Sequence, residues 1–250
     1  MLTHPTLDNL KALKLFGMVQ SLESQLQNAD LADMAFEERL GLMVDAELST
    51  RENKRLKARL RHARLKQSVC IEDVDFKATR GLDRSQIQAL STSHWIMHHQ
   101  NVLIVGPTGV GKSFLACALA QKACRDDFSA QYFRASMLFH DLAVSKVTGR
   151  YARLLEILKK KDLLVIDDFG LSPLNDEQRR DLLEITEDRY EQRSTLIASQ
   201  LPIEHWHEMI GDPTIADAIL DRLIHNAYKI QLKGESLRKS KGKKIQEEKE

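Results

Sequence analysis

The octapeptide Gly106-Pro107-Thr108-Gly109-Val110-Gly111-Lys112-Ser113 is a full G-x-x-x-x-G-K-S sequence, and its flanks restrict the fold more than any other stretch of the chain. Before it stands Asn101-Val102-Leu103-Ile104-Val105, a short apolar run of the kind that forms a buried strand. After it, residues 114–124 are small and apolar with no helix breaker. Strand, glycine loop and helix in that order make a phosphate-binding turn. Gly106, Gly109 and Gly111 permit backbone conformations that a side chain would block, so successive N–H groups can wrap phosphates at the positive end of the next helix. Lys112 adds a charge near the β- and γ-phosphates, and the Ser113 hydroxyl is placed to hold Mg²⁺. The predicted nucleotide contacts are therefore residues 106–114, from Gly106 through Pro107, Thr108 and Val110 to Phe114 in the first turn of the helix, with ATP and Mg²⁺ as cofactors.

The chain has 250 residues, enough for one large domain and a smaller appendage. Its formal net charge of +1 gives no global preference for anionic partners, so any nucleic-acid affinity must come from local clusters. No run approaches the ~18 apolar residues of a membrane span, and no basic-then-apolar leader with a small-residue cleavage site opens the sequence, so the cytoplasm is the expected compartment and no membrane partner is expected. Cys70, Cys117 and Cys124 are odd in number and lack C-x-x-C spacing, which argues against a disulfide or a zinc site. His98 and His99 are neighbours and do not share a helical face, so they read as surface histidines.

Leu7, Leu10, Leu13, Leu15, Met18, Val19, Leu22 and Leu26 recur at three-to-four spacing and predict an amphipathic helix over 6–27. A second helix is predicted from Phe36 to about Lys66. Its first half carries Leu40, Met43, Val44 and Leu48; in its second half, residues 51–66, eight Lys or Arg against one Glu leave +7. From about residue 69 onward strands and helices alternate: strands 102–105, 131–134, 163–167, 195–199 and 228–232, with helices at 112–124, 136–145, 176–191 and 215–225. That alternation predicts an α/β fold, a parallel sheet covered by helices on both faces, preceded by a small all-α N-terminal domain. The expected domains are 1–68 (helical), 69–238 (nucleotide-binding) and a charged tail, 239–250. Asn175, with Gln178 three residues on and Pro173 just before, marks the start of the helix at 176.

Leu163-Leu164-Val165-Ile166-Asp167-Asp168 is an apolar strand ending in two carboxylates. In a parallel sheet that end faces the ligand crevice, so Asp167 is expected to hold Mg²⁺ through water and Asp168 to orient or deprotonate an attacking water. Thr195-Leu196-Ile197-Ala198-Ser199-Gln200 ends in polar groups beside it, with Ser199 or Gln200 available to the γ-phosphate or the lytic water.

The phosphate loop, Asp167-Asp168-Phe169-Gly170, Ser199-Gln200-Leu201-Pro202 and Asp221-Arg222-Leu223 together resemble the AAA+ ATPases, in the branch that holds the DnaC helicase loaders and the IstB transposition helpers. The likeness to the IstB group covers nearly the whole chain, including Leu15-Phe16-Gly17-Met18, Phe36-Glu37-Glu38-Arg39-Leu40 and Leu232-Lys233-Gly234-Glu235-Ser236-Leu237-Arg238-Lys239. It implies an assembly-dependent ATPase that binds duplex DNA, forms a homo-oligomer with ATP at subunit interfaces and serves an IstA-type transposase; the short side chain of Asp168 points to slow turnover. It implies that Arg222 is an arginine finger for a neighbouring subunit and that Arg238 reads the γ-phosphate in its own; Arg238 also stands among Lys239, Lys241, Lys243 and Lys244, a setting equally suited to DNA. Two departures stand out. The usual Asp-Glu pair is Asp-Asp here, which leaves a shorter side chain to reach the lytic water, with Glu177 as a conceivable substitute, and the sequence after Arg238 leaves no room for a C-terminal helical lid.

The basic run supplies the predicted DNA contacts Arg51, Lys54, Arg55, Lys57, Arg59, Arg61 and Arg64, to which Lys146 and Arg150 are added ahead of the acidic strand. A solvated basic helix face is the competing reading. No aromatic residues interleave these cations, which favours contacts to duplex backbone over single-strand stacking. The rival functions are a replicative helicase loader, in which residues 1–66 would grip a helicase, and a small-molecule kinase, for which the clustered arginines of a lid are lacking. Reversing the charges within 51–66 is expected to lower DNA affinity and flatten its salt dependence while leaving nucleotide affinity intact, as read by fluorescence anisotropy across a salt series.

Overall fold

The computed structural model describes residues 5–28, 31, 33–76 and 81–237. The chain forms two compact units, Met1–Ala58 and Arg59–Glu250. In the first, the apolar periodicity over 6–27 is realised as two helices, α1 (Pro5–Ala12) and α2 (Phe16–Gln27), followed by the start of the long α3 (Phe36–Ala63). The break is a left-handed helix end made without glycine. Lys14 has φ 60°, its N–H donates to the Lys11 carbonyl at 3.0 Å, and the Leu15 N–H reaches back to Leu10 at 2.9 Å. A lysine gives no composition signal for such an end, so the spacing alone reads as one helix.

Leu7, Leu10 and Val19 form a small core against which Leu15, Met18, Leu22 and Met43 pack. Glu47 of α3 closes it with charge: its carboxylate accepts the Gly17 N–H at 2.7 Å and the Met18 N–H at 3.3 Å, two unpaired donors at the start of α2. The Arg51 guanidinium, with these amides, holds the Glu47 carboxyl below the usual carboxylate range against the opposing pull of burial. Close approach is possible because residue 17 is glycine; a Cβ there would stand 2.4 Å from the Ala46 carbonyl oxygen.

The second unit is built on a five-stranded parallel sheet of β1 (Asn101–Val105), β2 (Ala130–Arg134), β3 (Leu163–Phe169), β4 (Ser194–Ser199) and β5 (Ala227–Gln231), in the order β2-β3-β4-β1-β5. Its helices are α4 (Arg84–Leu90), α5 (His94–Met97), α6 (Lys112–Arg125), α7 (Ala135–Val147), α8 (Tyr151–Lys160), α9 (Asp176–Arg189), α10 (Trp206–Ile210) and α11 (Pro213–Ile224). The three inner strands β3, β4 and β1 are buried on both faces, which is why they read as unbroken apolar runs instead of alternating ones. On one face, Leu103, Ile166 and Ile197 pack with Leu138, Leu182 and Trp206 from the helices that follow β2, β3 and β4. Alternate strand residues turn to the opposite face, where α6 supplies Ala116, Ala120, Ala123 and the buried thiols of Cys117 and Cys124. All three cysteines are free.

Helix α9 starts where the Asn175 and Gln178 signals place it, with reciprocal bonds of 2.9 and 3.1 Å. Helix α8 is an addition to the sequence reading, although Tyr151, Leu154, Leu155 and Leu158 stand at helical spacing and pack on the core. At the N-terminal edge of the sheet the buried Arg189 guanidinium ties α8 and α9 to β4 through the carbonyls of Leu158, Lys161 and Ser194 and the Thr195 hydroxyl; burial pushes it down to about 9. Among the described residues no helix is long and apolar enough to cross a membrane. The tail 239–250 lies outside the described residues.

Gly17→Val is expected to destabilise the helical unit by about 2–3 kcal/mol, because the new side chain meets backbone that cannot swing aside. Urea unfolding of the full chain followed by helical circular dichroism reads this as an earlier loss of signal.

Candidate nucleotide-binding site

The sheet order decides what meets at its C-terminal edge. β4 lies between β1 and β3, pairing Val105 with Ser199 on one side and Phe169 with Ser199 on the other. The glycine loop leaving β1 and Asp168 at the end of β3 therefore open into one crevice, as the crossover rule for parallel sheets requires, with Asp167 buried directly behind Asp168. A cleft of about 610 Å³ occupies it, bordered by Thr108, Gly111, Lys112 and Ser113 of the loop and by Asp168 and Gln200. That volume suits a small-molecule ligand, for which ~300–1,000 Å³ is usual.

The loop itself is bent by glycine at three points, with φ of 153° at Gly106, 87° at Gly109 and 106° at Gly111. Gly111 precedes α6 without any side-chain cap, so the first-turn N–H groups are left to an outside acceptor. Behind the loop runs the segment after β5. Leu232 donates its N–H to Val105 at 2.8 Å and Leu237 to the Gly109 carbonyl at 3.0 Å. A Cβ on Gly106 would lie 2.3 Å from the Leu232 carbonyl oxygen, and one on Gly109 would lie 2.1 Å from Ser236 Oγ. Val110 is fully buried within the turn. Lys112 folds over its own loop, Nζ donating to the carbonyls of Gly106 at 2.7 Å and Pro107 at 2.8 Å.

Across the cleft Asp167 is fully buried. The Tyr132 hydroxyl donates to its Oδ2 at 2.6 Å, and the Asp168 N–H donates to its Oδ1 at 2.9 Å. Burial, then the bond to Asp167, pushes the Tyr132 phenol well above the usual range, so it stays a proton donor at any physiological pH. Asp168 takes a left-handed conformation, φ 57°, followed by Gly170 at 77°, and the β3–β4 register shifts between Ile166 and Phe169. Strain of this kind at the end of a strand turns successive side chains away from the regular pleat. Lys66 completes the group: its Nζ stands 3.5 Å from Asp167 Oδ2 and 3.7 Å from Asp168 Oδ2.

Ser199 and Gln200 divide their tasks. Ser199 is buried, donating to the Phe169 carbonyl at 2.7 Å and accepting the Leu201 N–H at 3.0 Å, so it fastens the two strand ends. Gln200 borders the cleft and accepts the Thr108 hydroxyl at 2.5 Å. At the loop and the end of β3 the oxygen donors open to the cleft are Ser113 and Asp168; Asp167, the expected Mg²⁺ ligand, is fully buried, with Oδ1 and Oδ2 accepting from the Asp168 amide and the Tyr132 hydroxyl. Among the described residues no group of three His, Cys, Asp or Glu could hold a metal. This sparse donor set fits Mg²⁺, which keeps its waters and is shared with phosphates, better than a cation needing a protein cage.

Arg222 lies elsewhere. Its carbonyl accepts from Asn101 at the start of β1, a strand's length from the loop that follows Val105. Its guanidinium pairs with Glu187 at 2.5 Å, donates to the Ala218 carbonyl at 2.8 Å and lies 5.9 Å above the Tyr190 ring. Arg238 lies outside the described residues.

The basic residues fall into two groups. Arg51 is bound to Glu47 at 2.7 Å; Arg59 donates to the Cys124 carbonyl at 2.8 Å and pairs with Asp127; Lys146 meets Glu177 at 2.9 Å and Asp181 at 2.6 Å over the Tyr151 ring. Lys54, Arg55, Lys57, Arg61, Arg64 and Arg150 are exposed. Glu177, held by Lys146, is engaged away from the cleft residues.

Six residues bordering the cleft escaped the sequence reading of the site, Lys66, Gln67, Asp73, Asp75, Arg134 and Leu237, as did Tyr132, buried against Asp167. Arg134 borders the cleft and pairs in register with Asp167, so the β2–β3 pairing, once known, places both it and Tyr132 beside the carboxylates.

The model of the IstB-like ATP binding protein family matches residues 8–245. A putative insertion sequence ATP-binding protein of Sinorhizobium fredii is 52% identical over 98% of this chain and 100% of its own. Among solved structures, the DnaC helicase loader superposes with a TM-score of 0.53 at 19% identity, over 66% of this chain and 96% of the loader. The replication initiator DnaA, bound to AMPPCP and single-stranded DNA, gives 0.57 at 16% identity, over 74% of this chain and 56% of the initiator. The structural likenesses establish an AAA+ phosphate-loop fold.

Gly106→Ala is expected to abolish binding of a fluorescent ATP analogue, since the added methyl meets the Leu232 carbonyl and forces the loop open. Circular dichroism on the same sample checks that the sheet is retained.

Proposed function

The chain belongs to the IstB-like ATP-binding proteins of insertion sequences, and from that premise we propose that it is an ATP-dependent DNA-binding helper of a transposase, assembling on duplex target DNA and hydrolysing ATP slowly. The observation that carries this reading is the separation of Arg222 from the phosphate loop of its own chain. Arg222 flanks the start of β1, whereas the loop follows its end, so a role for this guanidinium at a γ-phosphate requires a second copy of the chain. A cation supplied across an interface makes hydrolysis depend on assembly.

Within one copy, Lys112 neutralises phosphate charge after leaving the carbonyls of Gly106 and Pro107. Ser113 and Asp167 would hold Mg²⁺, through water at Asp167, and the ion would supply Lewis-acid charge to the phosphates. Asp168 orients the lytic water, and its short side chain fits slow turnover. Gln200, already linked to Thr108, faces the cleft from β4. The glutamate pair of Arg222 is the contact that assembly must exchange for phosphate oxygens. The exposed cations Lys54, Arg55, Lys57, Arg61, Arg64 and Arg150 are the ones free in geometry to lie along a DNA backbone.

Electron microscopy of the protein with duplex DNA and a slowly hydrolysed ATP analogue tests the reading; ordered assemblies that require both are expected, and their absence overturns it. Preference for single-stranded DNA at matched salt, together with capture of the host helicase, would instead favour a loader. Lys112→Ala is expected to lose nucleotide binding and assembly together, and Asp168→Ala to bind ATP and persist on DNA. Arg222→Ala is expected to bind nucleotide normally yet hydrolyse it about 10³-fold more slowly. Phosphate release at the wild-type rate in that variant removes the interface role.

A further inference from the structure

Helix α3 ends at Ala63, and a left-handed residue, Arg64 at φ 51°, turns the chain so that Lys66 reaches the end of β3. The ammonium lies against both carboxylates, 3.5 Å from Asp167 and 3.7 Å from Asp168, with its side chain about a quarter exposed, 23%. We propose that Lys66 is a resident counter-cation that competes with Mg²⁺ for Asp167 and Asp168, so that the turn carrying it leaves the site when Mg²⁺ and nucleotide are bound. This rests on the nucleotide reading above.

Three observations carry it. The first is charge. Asp167 accepts from the Tyr132 hydroxyl and the Asp168 amide, both neutral dipoles, whereas Lys66 brings a full positive charge to the pair. Two adjacent carboxylates, one of them fully buried, repel each other unless a cation stands beside them. The second is reach. At 3.5 and 3.7 Å the contacts are longer than the ~2.7–2.9 Å of a directed charge-assisted hydrogen bond, so Lys66 is held by field more than by geometry and can be exchanged for another cation. The third is exclusion. A divalent cation served by Asp167 would lie within a few ångströms of the ammonium, and like charges at that range in a partly dry cleft repel strongly.

The turn is held softly elsewhere too. The backbone amides of Lys66 and Gln67 face the Cys117 sulfur of α6, a weak acceptor whose thiol is pushed up by burial and stays neutral. Lys66 is therefore a positioning residue whose withdrawal loosens the residues joining α3, with its exposed Lys54, Arg55, Lys57 and Arg61, to the nucleotide cleft. The occupancy of the site is thereby reported at the end of the basic helix through the chain itself.

Hydrogen exchange on the wild-type full chain tests this in three states: without nucleotide, with a non-hydrolysable ATP analogue in EDTA, and with the analogue and Mg²⁺. Faster exchange at residues 64–68 is expected in the third state alone. Alongside, the Mg²⁺ concentration for half-maximal binding of a fluorescent ATP analogue is expected to fall about twofold to fivefold in Lys66→Met, the range for loss of one partly exposed ion pair, and to stay near wild type in Lys66→Arg. An unchanged exchange pattern overturns the proposal, as does an unaltered Mg²⁺ requirement in Lys66→Met. Weaker nucleotide binding in Lys66→Met also overturns it, making the lysine a phosphate ligand. A wild-type chain that binds no nucleotide under any of these conditions removes the nucleotide reading itself, and this inference with it.

Discussion

The pairing of β4 between β1 and β3 is the constraint from which the site follows. The glycine loop marks a phosphate-binding turn and the acidic pair a strand end, but neither fixes where the other lies. Once Ser199 is bonded to Phe169 on one side and stands opposite Val105 on the other, the loop and the carboxylates face one another across the width of a single strand. That spacing leaves a cleft of about 610 Å³, wide enough for a triphosphate with its cation. The buried hydroxyl of Ser199 thus acts as a spacer, and the neighbouring Gln200 is left to meet a ligand.

The fold was largely legible in the sequence because the inner strands are apolar on both faces and punctuated by glycine, proline and capping residues. Asn175 and Gln178 announce α9 by chemistry that acts locally. Elements that depend on distant partners were not legible in the same way. The division of 6–27 into two helices is set by Lys14 in a left-handed conformation and by Glu47 reaching the amides of Gly17 and Met18, none of which alters the apolar periodicity. Helix α8, in contrast, was legible, since Tyr151, Leu154, Leu155 and Leu158 stand at i, i+3, i+4 and i+7.

The phosphate loop and the acidic pair could be named from spacing, because their geometry is fixed by residues adjacent in the chain. Tyr132, Arg134 and Lys66 could not, since each arrives from another element and its role is defined by the Asp167 it approaches. The basic run shows the opposite limit. Composition marks all eight cations of residues 51–66 alike, but packing spends Arg51 on Glu47, Arg59 on α6 and Lys66 on the cleft, and leaves the others at the surface.

The segment after β5 has a consequence for how the molecule comes into being. Leu232 and Ser236 stand where side chains on Gly106 and Gly109 would be, and the Leu237 amide closes on Gly109. The back wall of the phosphate loop is therefore made of residues synthesised long after the loop itself. The curvature of the loop is thus set jointly by its own glycines and by a segment more than a hundred residues further along the chain, so closing the phosphate site requires that the last strand of the sheet be in place.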